Sequence, residues 1–384
     1  MIPYGRQIIS DEDIEAVVQT LKSPLITQGP AVEAFESAVS DYCGVSRAAA
    51  VNSGTAALHI ACLALSIGPG DMVWTSPITF AASANCALYA GAEVDFVDVD
   101  PATGNMSVDA LKNKLETSSR LPKAVIVVHL AGMPADMEEI RRLSMEYSFR
   151  LIEDACHALG ASYKGSRIGS CKYSDITVFS FHPVKAITTG EGGMAVTNDP
   201  ALHRRMKLFS SHGITRNKDL LENPPEGGWY YEQLALGFNY RMPDINAALG
   251  ISQLRMLDGW IETRRKYADF YLNRLAGVSG IELPPVLGDR SSAYHLFIVR
   301  VDPEKRRMIY DRLRNDGIGT NVHYIPVYHH PYYREKGSYV PLANAENFYG
   351  RILTVPLCPA MTEEDLEYVA DRLIRICSES TRTA

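Results

Sequence analysis

The chain of 384 residues is 46% hydrophobic and 22% charged, with a formal net charge of −7. That is enough apolar material for a large core shared between two domains, and the acidic balance excludes the basic stripe of a nucleic-acid or anionic-membrane binder while leaving room for a local phosphate pocket. No apolar run approaches the ~20 residues that span a bilayer, and Met1-Ile-Pro-Tyr-Gly-Arg6 carries no hydrophobic leader.

Acidic and apolar positions alternate at helical spacing over residues 11–22 (Ile14, Val17, Val18, Leu21), predicting a helix that ends before Pro24. The loop Ser23-Pro-Leu-Ile-Thr-Gln-Gly29 leads to a second amphipathic helix with Val32, Phe35, Ala38 and Val39. From Ala48 to Asp199 short apolar runs bounded by Gly, Pro or Asp recur, at 72–75, 94–97, 124–128, 151–152, 176–179 and 194–196, with helical stretches such as 56–65 and 137–147 between them. This alternation predicts an α/β fold: a mainly parallel central sheet, helices on both faces, and a site at the carboxyl ends of the strands. A long helix from Asp244 to about Leu275 carries the expected boundary between a large domain, 1–250, and a smaller α+β domain, 251–384. The smaller domain is expected to hold a strand at 295–300, a helix at 304–315, a strand near 320–324 and a terminal helix at 363–377. Seven cysteines in no CxxC spacing imply reduced thiols in a cytoplasmic protein and no structural zinc.

Chemistry concentrates in two places. Lys185 follows the apolar strand 176–179 and precedes Thr188-Thr-Gly-Glu-Gly-Gly193, while Asp154 ends the run Leu151-Ile-Glu-Asp154. A lysine amine forms a Schiff base with an aldehyde, and a carboxylate at a strand end holds a pyridinium nitrogen protonated; together they are what a protein supplies to operate pyridoxal phosphate (PLP). The plainer readings are a solvated lysine and a helix N-cap. Val51-Asn-Ser-Gly-Thr-Ala-Ala57 reads as strand, turn and helix start, where Ser53, Gly54 and Thr55 either cap the helix or receive a phosphate at its positive end. Ser180 offers a further hydroxyl. His157 is a candidate for the ring hydroxyl or for supporting Asp154, and Phe80 for stacking on the ring, unless they are a structural histidine and a core aromatic. His323, His329 and His330, set among Tyr324, Tyr328, Tyr332 and Tyr333, fit no compact metal-ligand spacing and suit stacking on a base or sugar better.

Asn52-Ser-Gly-Thr-Ala-Ala-Leu58, Thr75-Ser-Pro-Ile-Thr-Phe-Ala-Ala82, Glu153-Asp-Ala-Cys-His-Ala-Leu-Gly160, Phe179-Ser-Phe-His-Pro-Val-Lys-Ala-Ile187, Gly190-Glu-Gly-Gly193 and Gly237-Phe-Asn-Tyr-Arg-Met242 occur in order along nearly the whole chain. In these motifs the sequence resembles the DegT/DnrJ/EryC1/StrS sugar-nucleotide aminotransferases. The resemblance implies a PLP-dependent transferase of fold type I, with the aspartate-aminotransferase architecture, working as a homodimer. It makes Lys185 the Schiff-base lysine, Asp154 the pyridinium partner, Phe80 the stacking ring, and Gly54, Thr55 and Ser180 the phosphate site. Asn239 would reach the cofactor phosphate of the other subunit.

Within the family the likeness is greatest, over 174–199 and 210–254, to the branch that aminates C4 of UDP-2-acetamido-2,6-dideoxy-β-L-arabino-hexos-4-ulose, on the pseudaminic acid pathway, with glutamate as expected donor. Matching positions place Tyr4, Pro24, Leu25, Ile26, Thr27, Ser53, Ser180, Asn239, Asn321, Val322, His323 and Tyr324 along the sugar-nucleotide pocket, and the long insert 217–229 bears on its entrance. The alternatives within this chemistry are other 3- or 4-keto sugars: GDP-4-keto-6-deoxymannose, a dTDP-keto sugar or a D-xylo 4-ketose. Relatives with histidine in place of the lysine are sugar 3-dehydratases, which Lys185 argues against. A non-catalytic sensor on the same fold is the alternative from another class.

Overall fold

The structure, a computed structural model, describes residues 1–337 and 339–382. Its first half alternates helix and strand: α1 (Asp11–Leu21), α2 (Pro30–Cys43), β1 (Arg47–Val51), α3 (Gly54–Ala64), β2 (Met72–Thr75), α4 (Ala82–Tyr89), β3 (Glu93–Phe96), α5 (Val108–Thr117), β4 (Ala124–Val128), α6 (Met137–Tyr147) and β5 (Arg150–Asp154). Short strands β6 (Ser162–Tyr163) and β7 (Ser166–Arg167) form a hairpin before β8 (Ile176–Ser180), β9 (Gly193–Thr197) and α7 (Pro200–Ser210). Then come β10 (Ile214–Thr215), β11 (Glu232–Gln233), the 31-residue α8 (Asp244–Arg274), β12 (Ile281–Glu282), β13 (Arg290–Ser291), β14 (Phe297–Val301), α9 (Arg306–Asn315), α10 (Pro331–Lys336), α11 (Ala343–Arg351), β15 (Ile352–Val355) and α12 (Glu363–Arg382).

The central sheet has seven strands in the order β1-β9-β8-β5-β4-β2-β3. All its strands run parallel except β9, which is antiparallel to both neighbours. The connection from β8 to β9 contains no crossover helix, so the chain returns directly and reverses direction. Period-two alternation sends Ala48, Ala50, Val125, Val127, Leu151 and Phe179 to the face packed by α2, α5, α6 and α8. The same alternation sends Ala49, Val51, Ala124, Ile126, Ile152 and Val178 to the face packed by α3, α4 and α7. Glu153 and Asp154 therefore diverge, and Asp154 and Ser180 share the α3 face.

A second core gathers around the antiparallel sheet β12-β14-β15, with Phe297, Val299, Leu353, Ile309 and Leu373 packed against Ala268 and Tyr271 of α8. Helix α8 serves both cores, since Leu257 and Ile261 pack in the first. The amino-terminal residues run with the second core: Ile2 N–H donates to Gly317 O at 2.8 Å, and Gly319 N–H to Ile2 O at 2.7 Å.

The strand expected near 320–324 is absent. Asn321 makes one bridge to Thr354 and the chain then leaves the sheet as an irregular segment toward Pro326. Helices α4, α5 and α7 have no counterpart among the expected elements. In α4 the reason is composition: Ala-Ser-Ala-Asn-Cys-Ala-Leu-Tyr has mostly small residues, five of the eight buried, and shows little amphipathic period. No helix among the described residues is long and apolar enough to cross a membrane.

Phe179 is fully buried beneath Gly169, where a Cβ would lie 2.6 Å from its ring. Truncation to Ala opens a cavity in a site held by two strands, and Phe179→Ala should lower the unfolding free energy by about 3–5 kcal/mol, read from urea midpoints.

Candidate active site

At the carboxyl ends of β1, β4, β5 and β8 lies a cavity of about 720 Å³. Its floor and one wall come from the turn into α3 (Ser53, Gly54, Thr55), the end of β5 (Asp154, Cys156, His157) and the exit from β8 (Ser180, His182, Lys185). Thr79 and Phe80 close one side, and Tyr4 with 321–325 and His330 closes the other. The bridge from Ile2 to Ile318 is what carries Tyr4 here.

Asp154 is 6% exposed. Each of its oxygens accepts one hydrogen bond: Oδ2 from Ser83 Oγ at 2.6 Å, and Oδ1 from the Cys156 backbone N–H at 3.2 Å. Lys185 lines the same cavity. Desolvation lowers its pKa from the ordinary 10.5, although Cys156 and Asp154 pull the other way, so the free amine is easier to obtain than on a surface lysine. Ser53 caps α3, its hydroxyl accepting from Ala56 N–H at 3.1 Å, so the plain reading of that residue holds locally even as it lines the cavity. Gly54 cannot be replaced without movement: a Cβ there would stand 2.8 Å from Ser180 Cβ and 3.3 Å from Cys156 Sγ. The bare backbone of Gly54 is thus what lets the first turn of α3 and the end of β8 converge.

Phe80 is 62% exposed, so it is no core aromatic; its ring looks into the cavity, 6.3 Å from that of Tyr324. His157 Nε2 lies 3.1 Å from the Tyr324 hydroxyl, and its Nδ1 is buried without a partner. Burial, Lys185 and His323 hold the His157 pKa well below its usual range, while burial pushes the Tyr324 hydroxyl up. His323 is similarly depressed, to about 4, by desolvation and Lys185; its Nδ1 lies 2.8 Å from Thr354 Oγ1. These imidazoles are neutral near pH 7.

Two groups of expected site residues stand apart from the cavity. The loop at Pro24, Leu25, Ile26 and Thr27 is exposed, tied to the start of α8 by Asp244 N–H donating to Ile26 O at 3.0 Å and by a bridge from Thr27 to Pro243. Asn239 is also exposed, bridged to Ser211, with Asn52 Nδ2 donating to its carbonyl at 3.4 Å. The insert preceding it folds around Glu232, whose carboxylate accepts from the Glu222 and Asn223 N–H groups and from the Tyr230 hydroxyl.

The aromatic cluster divides by task. His323, Tyr324 and His330 line the cavity, whereas Tyr328 donates to Glu346, His329 pairs with Glu346, and Tyr333 donates to Asn85. Among the described residues no set of three His, Cys, Asp or Glu side chains converges as metal ligands. Polar cavity residues missing from the sequence reading are Thr79, Cys156, His182 and Glu191. His182 and Glu191 lie inside the quoted motifs, two positions from Ser180 and one from Gly190, so proximity to those glycine- and hydroxyl-bearing turns was the available signal.

The parallel sheet, the acid ending β5 and the amine beyond β8 on one cavity define a PLP-dependent transferase of fold type I. The chain belongs to the DegT/DnrJ/EryC1/StrS aminotransferase family, whose sequence profile matches residues 7–374. It is 38% identical to a UDP-4-amino-4,6-dideoxy-N-acetyl-beta-L-altrosamine transaminase of Campylobacter jejuni, over 98% of this chain and 97% of that one. Among solved structures it resembles Helicobacter pylori PseC, an aminotransferase involved in the biosynthesis of pseudoaminic acid (TM-score 0.91, 30% identity, 98% and 99% of the two chains). It also resembles Spr1654 of Streptococcus pneumoniae in its PLP form (TM-score 0.88, 30% identity, 98% and 99%). The protein is accordingly a sugar aminotransferase of nucleotide sugars, and its cofactor is pyridoxal phosphate.

The depressed His323 pKa has a stability consequence. The unfolded imidazole takes up a proton as pH falls through about 6.5 and the folded one does so only near 4, so folding stability is lost across that interval. Between pH 7 and 5 the apo-protein should lose roughly 2 kcal/mol through this one group, and His323→Asn should flatten the dependence of the urea midpoint on pH by that amount.

Proposed function

We propose that this enzyme moves an amino group from glutamate to C4 of a UDP-linked 4-keto-6-deoxy sugar, UDP-2-acetamido-2,6-dideoxy-β-L-arabino-hexos-4-ulose. The observation that carries the aminotransferase site is the placement of the Lys185 amine and the Asp154 carboxylate on one cavity beside the cradle at Gly54 and Ser180. Support for the sugar comes from the named activity of the Campylobacter relative and the named pathway of the Helicobacter structure. A different nucleotide-linked 3- or 4-keto sugar is the competing substrate.

The residues present fit the cofactor. The α3 N-terminus with Thr55 and Ser180 would take its phosphate, Phe80 would cover its ring, and Asp154 would meet its ring nitrogen. Bound PLP supplies an aldehyde that carries the amino group between donor and acceptor, and a ring that accepts electron density. Lys185 Nζ would hold the cofactor's aldehyde carbon at rest and, once freed, would move a proton away from the donor's Cα and, in the reverse direction, onto the sugar carbon that gains the amine. Asp154 would face the ring nitrogen and stabilise the charge that develops there during proton transfer. His157 would help orient the ring, with the Tyr324 hydroxyl 3.1 Å from its Nε2.

Electrostatics argue for a homodimer. The cavity presents Asp154 and Glu191 against Lys185 as its one lysine or arginine among the described lining residues, yet it must take a cofactor phosphate and a nucleotide diphosphate. A second copy would bring the exposed loop bearing Asn239, with Arg216, Lys218 and Arg241 on the same stretch of chain, to the missing positions. The exposed loop 24–27 would join the site by the same route.

Lys185→Ala should abolish both turnover and the visible absorbance of the lysine-linked cofactor, and persistence of either removes the assignment. Asp154→Asn should retain PLP but slow both half-reactions by about 10²-fold or more in single-turnover assays. Mixing unfolded Lys185→Ala and Asn239→Ala chains and refolding them together should return activity absent from either alone; no recovery would contradict a shared site. A panel of UDP-, GDP- and dTDP-linked keto sugars, scored by 2-oxoglutarate release, tests the sugar, and strong activity on a D-xylo 4-ketose without activity on the L-arabino compound would overturn that choice.

A further inference from the structure

Asp154 is gripped from a direction that neither the motifs nor the cofactor reading account for. Ser83, in the first turn of α4, is completely buried and cannot turn its hydroxyl to water. Three acceptors surround that hydroxyl: Asp154 Oδ2 at 2.6 Å, Thr79 Oγ1 at 2.7 Å and the Phe80 carbonyl at 3.3 Å. A serine has one proton to give. The short bond to an anionic oxygen wins it, because charge-assisted bonds are about twice as strong as neutral ones. Thr79 must then be the donor to Ser83, and the order runs Thr79 Oγ–H to Ser83 Oγ–H to Asp154 Oδ2.

We propose that Ser83, oriented by Thr79, is a positioning residue that fixes the plane of the Asp154 carboxylate for the ring nitrogen of the cofactor. This rests on the assignment of Asp154 to that nitrogen. The other hydrogen bond the carboxylate accepts among the described residues is from the Cys156 amide, at the longer distance of 3.2 Å, so without Ser83 the Oδ2 side of the group loses its short hydrogen bond. Each carboxylate oxygen has a second lone pair, so Ser83 does not displace the ring N–H; it orients the acceptor. Ser83 and Thr79 also flank Phe80 in sequence, and the Ser83 N–H donates to the Phe80 carbonyl at 3.2 Å. One short segment thus holds the ring-covering side chain and the ring-binding acid in a fixed relation, which preorganises two separate contacts with one bound ring.

The test uses holoenzyme reconstituted with PLP labelled with ¹⁵N in the ring, and three variants. Asp154→Asn is the control and should move the ring-nitrogen resonance to the position of an unprotonated pyridine. Ser83→Ala should move it part of that way, lower kcat on the order of tenfold and leave the KM for glutamate unchanged, since Ser83 touches neither substrate. Thr79→Val removes the proton given to Ser83 while keeping the shape, and should shift the resonance in the same direction by less. If Asp154→Asn moves the resonance and both hydroxyl variants leave it and kcat at the wild-type values, Ser83 only fills space and the inference falls alone. A shift toward fuller protonation in Ser83→Ala would also overturn it, because the hydroxyl would then be a competitor and not a guide. If Asp154→Asn itself changes nothing, the role of Asp154 falls and takes this proposal with it. Should Ser83→Ala fail to take up PLP, Thr79→Val decides the matter by the same resonance.

Discussion

Strand β5 ends in two carboxylates, and the pleat of the sheet forces them to opposite sides. On one face Glu153 is sealed in: His129 Nδ1 accepts from the Ala135 N–H, so its Nε2–H donates to Glu153 at 2.8 Å, and Ser174 and Thr177 add hydroxyls to the other oxygen. Burial by itself would raise the Glu153 pKa, but these donors outweigh it and hold the group below the ordinary 4.5. It is a buried anion with every need met inside the protein. On the other face Asp154 has two donors and an open side toward the cavity. The same residue chemistry, one position apart, becomes structural in one case and available in the other.

That division explains why the cavity can work with so few charges of its own. Two neutral donors, the Ser83 hydroxyl and the Cys156 amide, orient the Asp154 carboxylate without bringing a competing cation beside it. The histidines around it are kept neutral by burial and by the lysine, so they orient and do not compete for the phosphate-bearing ligands. Among the described residues that line the cavity, Lys185 is the one lysine or arginine, and the residues at 24–27 and Asn239 lie exposed outside it.

Much of the large core was legible because its strands are short apolar runs between turn residues, and β2 and β4 match their expected limits residue for residue. The site was legible for a related reason: glycine- and hydroxyl-rich turns such as 52–55 and 188–193 have little purpose outside a place where backbone must approach something closely. The small-residue helix α4 was not legible, and with it went Ser83, because a short helix of Ala, Ser and Cys offers too few large apolar side chains to mark a period. The segment 320–324 misled for the opposite reason. Its alternating pattern suits a strand, yet its aromatic residues are drawn off the sheet to wall the cavity.

Sequence alone determined the family and the cofactor, and it singled out Lys185 and Asp154, which share one cavity, because those depend on which functional groups exist and on their order along the chain. Only the tertiary structure decided that Phe80 is open to the cavity, that Tyr4 arrives from the far end of the chain, and that Asn239 does not reach its own site. Each of those is a question of which side of a sheet or which edge of a fold a residue occupies, and that is fixed by contacts between segments a hundred or more positions apart.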